Sequence, residues 1–464
     1  MSTLRLAIIG AGPAGIYAAD ILLKAERNFD VSIDLFDHLP APYGLVRYGV
    51  APDHPRIKGI INALRDVLDR GDIRLFGNVR YGTDITLDDL KKHYNAVIFA
   101  TGAVRDADLR IPGIELEGSY GAAEFVSWFD GHPDFPRSWP LTAKEVAVIG
   151  NGNVALDVSR ILAKHADDLL PTEIPDNVYQ GLSESPVTDV HVFGRRGPTS
   201  VKFTPLELRE LGELRDVDMI LYDEDFEYDA AAKDAVANNK QVFVIDKVLN
   251  QWRKRETGQA SRRLHLHFFA KPLEILDDGT GRVGGIRWER TAPDGEGGVV
   301  GTGEIRELPI QAVYRAVGYF GSPLPGIPFD KKRGVIPNRE GQVLRKADPT
   351  SGSAAWTEQM YGVYATGWIK RGPVGLIGHT KSDAMETVRH VINDSGNWWR
   401  PESPSEESVI ALLNSRGIKY TDLDGWHNLD QHEQALGSAQ GRARVKLVPR
   451  DEMVKVSRAE NDEA

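Results

Sequence analysis

The sequence contains no cysteine among its 464 residues. Disulfide bonds, thiolate nucleophiles, cysteine-ligated zinc, cysteine-held iron–sulfur clusters and a redox-active dithiol are therefore excluded from this chain. No apolar run reaches the length of a transmembrane helix, and the first residues show neither a signal-peptide pattern nor an Arg- and Ser-rich transit segment. We expect a cytoplasmic protein with no stable membrane association, whose mature form begins where the sequence begins.

The chain is also short of positive charge, with 56 Lys and Arg against 67 Asp and Glu and a net charge of −11. This balance argues against nucleic acid as a partner. Hydrophobic residues make up 41% and charged residues 27%, which is ordinary for a soluble globular chain. The length predicts about two to four domains.

A glycine-rich motif follows the strand-like run Leu4–Ile9 and reads Gly10-Ala11-Gly12-Pro13-Ala14-Gly15. A helical segment and a second strand come next, and the second strand ends at Asp37. This order is the fingerprint of a dinucleotide site, in which the glycines permit a tight turn, a close pyrophosphate and helix–strand packing. A carboxylate at Asp37 suits an adenosine ribose, so we assign this site to FAD; the alternative is a plain structural turn.

A second copy of the pattern follows the run Glu145–Ile149 and reads Gly150-Asn151-Gly152-Asn153-Val154-Ala155. Its second strand is followed by Arg195 and Arg196 where the first copy has an acid. Two guanidinium groups can bind a 2′-phosphate that a carboxylate would repel, which favours NADPH. The alternative for the two arginines is a solvated turn.

Two apolar runs that end in Ala-Thr-Gly, at Gly102 and Gly367, bracket the second copy. They predict an α/β protein of two Rossmann-like domains with glutathione-reductase-like architecture, in which the NADPH domain is inserted into a discontinuous FAD domain. The expected limits are residues 1–103 and 321–464 for FAD and 104–320 for NADPH. The segment Pro42–Pro55 is rich in Gly and Pro and predicts an ordered loop without regular structure.

Four strings resemble the adrenodoxin reductase family of NADPH–ferredoxin reductases: APYGLVRYGVAPDHP, VAVIGNGNVALDVSRIL, GRRGP with TPLELREL, and GWIKRGPVGLIG. The resemblance runs from Leu4 to about Lys446, and it implies FAD and NADP(H) as cofactors. Without a targeting segment, the chain looks like a bacterial member of the family.

The resemblance also implies roles for individual residues. It places FAD contacts at Ala14, Asp37, Leu45, Tyr81, Trp368, Gly375, Leu376 and Ile377. For NADP it implies a pyrophosphate turn at Asn151, Gly152, Asn153 and Val154, a 2′-phosphate clamp at Arg195 and Arg196, a nicotinamide-side contact at Glu207, and Gly375 where both cofactors meet. The catalytic candidates are the polar groups that it places near the reacting rings, His54, Asp157 and Glu210.

The sequence departs from the family pattern in two places. Asp37 replaces the more usual glutamate, which shortens the reach to the ribose but keeps the charge. Residues 199–203 read Thr-Ser-Val-Lys-Phe where relatives more often have a Leu-Gln pair, which can alter the rim of the nucleotide pocket.

The expected activity is hydride transfer from NADPH to FAD, followed by single-electron transfer to a ferredoxin that supplies, for example, cytochrome P450 systems. Basic residues Lys24, Arg209, Arg253 and Arg255 are candidates for docking this acidic partner, and Asp223–Asp229 is expected to be a solvated acidic stretch away from them. The alternatives are a reductase of quinones or other small acceptors, and a non-catalytic NADP(H)-binding electron-transfer subunit. No metal site is expected, and the family favours a monomer or weak dimer.

Overall fold

The computed structural model describes residues 3–346, 356–373 and 377–459. These residues divide into two compact units. The first unit lies within Met1–Arg105, Asp130–Asp134 and Tyr319–Ala464, and the second lies within Asp106–Phe129 and Phe135–Gly318. One unit is thus inserted into the chain of the other.

The N-terminal part of the first unit alternates strands with helices. Its elements are β1 (Thr3–Ile9), α1 (Pro13–Lys24), β2 (Asp30–Phe36), α2 (Leu45–Tyr48), α3 (Pro55–Lys58), α4 (Ile60–Leu68), β3 (Ile73–Phe76), α5 (Leu87–His93) and β4 (Ala96–Phe99).

The chain then passes through β5 (Arg105–Asp106) into the second unit. The elements of that unit are β6 (Ser119–Gly121), α6 (Ala122–Phe129), β7 (Glu145–Ile149), α7 (Asn153–Ala163), α8 (Asp176–Ser183), β8 (Asp189–Phe193), α9 (Pro205–Leu211), β9 (Val217–Leu221), α10 (Ala230–Asn238), α11 (Lys240–Trp252), β10 (Arg262–His267), β11 (Ala270–Asp277), β12 (Val283–Pro293), β13 (Val299–Pro309) and β14 (Ala312–Arg315), with 3₁₀ turns at Ala166–Leu169, Pro198–Ser200 and Asp223–Phe226.

The chain returns to the first unit and completes it with short strands and a helical C-terminal segment. These elements are β15 (Tyr319–Phe320), β16 (Asn338–Arg339), β17 (Gln342–Arg345), β18 (Glu358–Ala365), α12 (Trp368–Arg371), α13 (Ile377–Asn393), α14 (Glu406–Ser415), α15 (Leu423–Ser438) and α16 (Arg450–Ser457), with a 3₁₀ turn at Ser395–Asn397. Among the described residues, no helix combines the length and the apolar character needed to cross a membrane.

The first unit is built on a seven-stranded sheet in the order β16-β17-β18-β4-β1-β2-β3. Strands β18, β4, β1, β2 and β3 run parallel, and β16 and β17 are antiparallel additions at one edge. Alternate residues of β1 enter different cores, with Leu4, Leu6 and Ile8 on one face and Ala7 and Ile9 on the other. Burial on both faces explains why Leu6–Ile9 in β1 is a continuous apolar run.

The second unit is built on a six-stranded parallel sheet in the order β6-β14-β7-β8-β10-β9. A three-stranded antiparallel sheet, β11-β12-β13, contributes Ile275, Ile286 and Trp288 to a core that also contains Ile149 and Phe193 of the parallel sheet. The α/β class with one nucleotide-type unit inserted into the other, expected from the sequence, is confirmed.

Three histidines lie side by side on this parallel sheet. The rings of His191 and His265 stack with centroids 4.1 Å apart, and His191 Nδ1 lies 3.0 Å from His267 Nε2. His265 places its two nitrogens 3.0 Å from Asp189 Oδ1 and from the Tyr222 hydroxyl. The nitrogens of the three rings lie within 4.8 Å of one another, close enough to hold a metal ion, while both nitrogens of His265 already have hydrogen-bond partners.

Burial lowers the pKa of His191 to about 3 and also lowers the pKa values of His265 and His267. A histidine whose pKa is lower in the folded state takes up more protons when unfolded, so stability falls as pH drops below about 6.5. We predict that His191→Phe makes this loss shallower, by about 1.4 kcal/mol per pH unit between about pH 6.5 and pH 4. Urea unfolding followed at a series of pH values measures the slope. His432→Phe, at an exposed position, is the matched control, and equal slopes for His191→Phe and the unsubstituted protein would contradict the assignment.

Candidate functional site

The first glycine turn is shaped by two contacts that exclude any side chain. Gly10 has φ +114°, and a β-carbon there would lie 2.4 Å from the Ala100 carbonyl oxygen. A β-carbon on Gly15 would lie 2.0 Å from the carbonyl oxygen of Gly10. The chain can therefore turn from β1 into α1 only with glycine at both positions.

The N-terminus of α1 is open to a ligand. Gly12 is the N-cap, and no side chain accepts a hydrogen bond from the first turn. A β-carbon on Gly12 would approach only Gly44 Cα, at 3.7 Å. The free N–H groups and the helix dipole fit a pyrophosphate, so the residues present suit a dinucleotide here.

Asp37 follows β2 and is buried. Its Oδ2 accepts a hydrogen bond from Ala11 N at 2.8 Å, and its Oδ1 accepts one from Leu39 N at 2.9 Å. Burial by itself raises the pKa of Asp37, but the neighbouring His38 and these two amides outweigh it, so the pKa lies below its ordinary value. The carboxylate is therefore ionised and braces the glycine turn; Oδ1 also lies 3.3 Å from His38 Nδ1, while Oδ2 keeps a further lone pair.

The loop after β2 lies against the glycine turn. Tyr43 N donates to Ala11 O at 2.8 Å, and Gly44, with φ +49°, faces Gly12 so closely that a β-carbon on it would lie 3.1 Å from Gly12 Cα. Leu45 is the half-buried first residue of α2. The expectation of a loop without regular structure was wrong here, because Gly44 reverses the chain and α2 forms one helical turn. The buried His54 precedes α3.

Trp368 opens α12 behind another close approach. Gly367 has φ +75°, and a β-carbon on it would lie 2.6 Å from Ala14 Cβ, so the Trp368 turn adjoins the start of α1. Gly367 N donates to Asp383 Oδ2 at 2.5 Å, and the buried Lys370 lies 3.1 Å from Asp383 Oδ1. The structure thus brings Ala14 and the start of α12 together, and it adds Asp383, which the sequence patterns had not singled out.

The other residues predicted to contact FAD are Tyr81 and the segment that leads into α13. The Tyr81 hydroxyl donates to Pro325 O at 2.7 Å, and burial raises its pKa, so this hydroxyl is already engaged. Gly375 and Leu376 lie outside the described residues. Ile377 begins α13, and its side chain likewise lies outside the described part of the chain.

The second glycine turn repeats the geometry of the first. Gly150 has φ +142°, and a β-carbon there would lie 2.3 Å from Ala316 O. Gly152 is the N-cap of α7, has no side-chain capping bond, and would place a β-carbon in open space. This helix N-terminus therefore also fits a pyrophosphate.

Two residues predicted to contact NADP meet beside this turn. Asn153 Nδ2 donates to Glu207 Oε1 at 3.2 Å, and Asn153 Oδ1 accepts from Thr204 N at 2.9 Å. The Thr204 hydroxyl donates to the other oxygen of Glu207. The side chain of Asn153 thus ties α9 to the start of α7, while Asn151 O accepts from Lys202 N at 3.0 Å and Val154 lies in the first turn of α7.

Arg195 and Arg196 are held by their backbones and not by their side chains. Thr291 Oγ1 donates to Arg195 O at 2.8 Å, and Phe269 N donates to Arg196 O at 3.2 Å. Arg195 is exposed and Arg196 half-buried. Neither guanidinium forms an ion pair with a carboxylate within the described part of the chain, so both remain available for an anionic ligand.

The catalytic candidates Asp157 and Glu210 share a cation that the sequence patterns missed. Arg160, 1% exposed, places Nη1 2.8 Å from Asp157 Oδ1 and 3.9 Å from Glu210 Oε2. Arg160 lies one turn after Asp157 on α7, which is the spacing of an i,i+3 ion pair. Its position inside an apolar helix face concealed it.

The basic docking candidates differ in how strongly they are neutralised. Lys24 is paired with Asp20 at 2.8 Å, and Arg253 is paired with Asp223 at 2.6 Å. Arg209 and Arg255 are exposed, and Arg255 lies over the Trp252 ring. The available positive charge is therefore smaller than the sequence cluster suggests.

The expectation of a solvated acidic stretch at Asp223–Asp229 holds for Asp223, Glu224 and Glu227, which are exposed, and is wrong for Asp225. Asp225 is 1% exposed and its carboxylate binds Arg290 at 2.7 Å, while burial raises its pKa to about 6. Glu224 pairs with Arg306 at 2.6 Å, and Asp223 lies beside Arg253 rather than away from the basic residues. These partners are distant in sequence, so local composition did not reveal them.

Several known proteins are similar to this chain. Residues 4–185 match a family model described as pyridine nucleotide-disulphide oxidoreductase. The chain is 36% identical to the mitochondrial NADPH:adrenodoxin oxidoreductase of Arabidopsis thaliana, over 97% of this chain and 95% of that protein. It is 40% identical to the NADPH-ferredoxin reductase FprA of Mycobacterium tuberculosis, over 97% and 98%. The structure of Mycobacterium tuberculosis FprA in complex with NADPH matches with a TM-score of 0.88 and 38% identity, covering 98% of this chain and 99% of that one.

Two dinucleotide turns on two α/β units define a flavoprotein of the pyridine nucleotide oxidoreductase class. The near full-length relatives narrow this class further. The chain belongs to the adrenodoxin reductase family of NADPH–ferredoxin reductases.

We predict that Arg160→Met lowers the free energy of unfolding by about 2 kcal/mol, because it leaves two carboxylates around a buried position without their cation. Arg215→Met is the matched control, since Arg215 pairs with Asp168 on the surface and is 66% exposed. Its loss should stay below about 0.5 kcal/mol. Urea unfolding measures both, and equal losses would show that Arg160 does not hold the cluster together.

Proposed function

We propose that this chain is an FAD-dependent reductase that passes electrons from NADPH singly to a ferredoxin. The observation that carries the proposal is the pair of uncapped glycine turns. One is followed by an acid, and the other by two arginines that form no ion pair among the described residues. In this proposal residues 1–103 and 321–464 hold FAD and residues 104–320 hold NADPH. A cytoplasmic location and a monomer or weak dimer belong to the same proposal.

At the FAD turn, the N-terminus of α1 holds the pyrophosphate, and Asp37 accepts from the ribose. Because Asp37 is shorter than glutamate and already accepts from two amides, it reaches the ribose only if the turn brings the sugar close. Leu45 and Ala14 provide apolar contact, and Trp368 borders the ring system. Tyr81 contributes through its backbone or ring, since its hydroxyl binds Pro325 O.

At the NADPH turn, the residues Asn151–Val154 hold the pyrophosphate, and Arg195 and Arg196 bind the 2′-phosphate. Glu207, fixed by Asn153 and Thr204, lies on the nicotinamide side. The hydrogen-bonded side chains of Asn153 and Glu207 orient the bound nucleotide rather than react with it.

Bound FAD supplies the ability to take two electrons as a hydride and release them one at a time. The residues of the chain hold the hydride donor NADPH in place, exclude water from the reacting atoms and fix the charges around those atoms. We assign His54, Asp157 and Glu210 to that surrounding, and Arg160 is the buried cation beside the last two. Because the chain has no cysteine, the electrons leave to an external acceptor without a thiol relay.

A reductase of quinones or other small acceptors is the second candidate, and one observation favours it. Lys24 and Arg253, two of the expected docking residues, are paired with Asp20 and Asp223. A weak docking surface is compatible with acceptors that need no steering. A non-catalytic NADP(H)-binding subunit would bind the nucleotides but reduce no acceptor.

We predict that Arg195→Ala raises the KM for NADPH about tenfold or more and leaves the KM for NADH nearly unchanged. The reason is the loss of a charge-assisted hydrogen bond to the 2′-phosphate, which contributes about 1.5–3 kcal/mol. Steady-state kinetics with both nucleotides and ferricyanide measures the effect. Arg215→Ala, at an exposed ion pair elsewhere on the same unit, is the control. An equal loss with NADPH and NADH would remove Arg195 from the 2′-phosphate site.

We predict that a ferredoxin accelerates NADPH-dependent cytochrome c reduction at low ionic strength, and that this acceleration declines with added salt. Arg255→Glu should lower it several-fold, and more than Arg253→Glu does, because Asp223 already neutralises Arg253. Arg215→Glu controls for net charge. Turnover that is the same with and without ferredoxin at low ionic strength would support the quinone reductase instead.

A further inference from the structure

A buried cluster of charges links the C-terminal helices to the loop beside the FAD turn. Glu433, on α15, is 0% exposed. Its Oε1 accepts from Arg47 Nη2 at 2.5 Å and from Leu447 N at 2.9 Å, and its Oε2 accepts from Arg444 Nη1 at 3.1 Å. Arg47 lies on α2 and is itself buried, so the pair spans 386 residues of sequence inside the first unit.

A second cation from the C-terminal segment, Lys446, binds the backbone of Arg47. Lys446 Nζ donates to Arg47 O at 2.6 Å and to Asp130 O at 3.0 Å. Lys58 Nζ lies 3.5 Å from Val46 O and 3.5 Å from Asp130 Oδ1. Both the side chain and the carbonyl of Arg47 are thus fixed by groups that lie 386 and 399 residues further along the chain.

Aromatic contacts also connect α15 with the loop that contains Arg47. The Trp426 ring of α15 meets the Tyr43 ring edge-on at 5.6 Å, and the Arg47 guanidinium lies 5.2 Å from the Trp426 ring centre. Tyr43 in turn donates its N–H to Ala11 O in the glycine turn. A short chain of contacts therefore leads from α15 to the turn that receives the pyrophosphate.

Apolar packing alone could cover the loop at lower cost, because moving ions out of water is unfavourable unless they are fully paired. What the ion pair adds is direction, because the bond from Arg47 Nη2 to Glu433 Oε1 requires a defined geometry. The segment between Gly44 and Gly49 is one helical turn, closed by local hydrogen bonds such as Arg47 N to Gly44 O at 3.0 Å, which fix its shape but not its position in the first unit. Its position is thus set from outside.

We propose that Glu433 is a positioning residue for FAD binding, which acts through Arg47 to hold Tyr43–Tyr48 against the Gly12 turn. The C-terminal segment from α15 onward is then part of the FAD-binding apparatus. The proposal rests on the assignment of FAD to the first glycine turn.

The test is the affinity of the apoprotein for FAD, measured by the quenching of flavin fluorescence as the holoprotein reforms. Glu433→Gln keeps the shape but removes the charge, and we expect the Kd for FAD to rise at least tenfold. Arg47→Met should do the same, Arg47→Lys should recover part of the affinity, and Glu433→Gln added to Arg47→Met should change little further. The visible absorption band of bound FAD should lose its resolved shoulder in the weakened variants.

Asp34→Asn is the matched control, because Asp34 is an equally buried acid of the same unit that binds Arg5 and Arg74 away from the loop. It should lower the urea midpoint of the apoprotein and leave the Kd for FAD unchanged. If Glu433→Gln behaves like Asp34→Asn, Glu433 is only structural and the proposal is overturned.

If Glu433→Gln does not fold, Lys446→Met replaces it, with an expected rise in Kd of at least threefold; an unchanged Kd overturns the proposal. The failure of the proposed function is a different result. An unsubstituted apoprotein that binds no FAD removes FAD from the first turn altogether, whereas normal binding with an unaffected Glu433→Gln variant removes only the positioning role.

Discussion

Both nucleotide sites depend on one constraint, which is that a strand must turn into a helix without any side chain in the way. Gly10 and Gly150 each lie so close to a carbonyl oxygen, of Ala100 and Ala316, that a β-carbon would overlap it. Each following helix starts at a glycine with no side-chain cap. The N–H groups of the first helical turn, which a cap would otherwise bind, are therefore free to bind an anion. This open helix end determines where the other residues of each site must lie.

The backbone supplies the same anion site twice. Selectivity between the two nucleotides therefore depends on the residues directly after the second strand of each glycine motif, β2 and β8. Asp37 is buried and ionised behind the first turn, whereas Arg195 and Arg196 extend from backbones that Thr291 and Phe269 hold. A carboxylate favours ribose hydroxyls and two guanidinium groups favour a phosphate. The two nucleotide turns thus differ by a few charges on one repeated backbone arrangement.

The sequence predicted best those features that are set by a motif along the chain. The glycine spacing is local, the acid and the arginines stand directly after β2 and β8, where the motif places them, and the inserted arrangement followed from the Ala-Thr-Gly runs at Gly102 and Gly367. It failed where the partner is distant. Asp225 looked solvated because Arg290 lies 65 residues away, and Arg47 looked like loop sequence because Glu433 lies 386 residues away.

Arg160 shows a different limit. Its ion pair with Asp157 has the spacing of a helix neighbour, yet its companion Glu210 belongs to another helix. No local pattern tells whether such an arginine points to solvent or into the unit, because that depends on how α7 and α9 meet. The Asn153–Glu207 hydrogen bond fixes that meeting.

A chain with a net charge of −11 can attract an acidic partner only through cations that ion pairs or hydrogen bonds do not already engage. Arg253 and Arg263 are already paired with carboxylates, and Arg262 Nη1 donates to the carbonyl oxygens of Ala163 and Lys164. Arg209 and Arg255 remain exposed. The field of such exposed charges falls away within a Debye length, so it acts on a partner only at close range and only at modest ionic strength. Under the proposed function, the same pairing therefore limits the positive charge that the second unit can offer to an acidic ferredoxin.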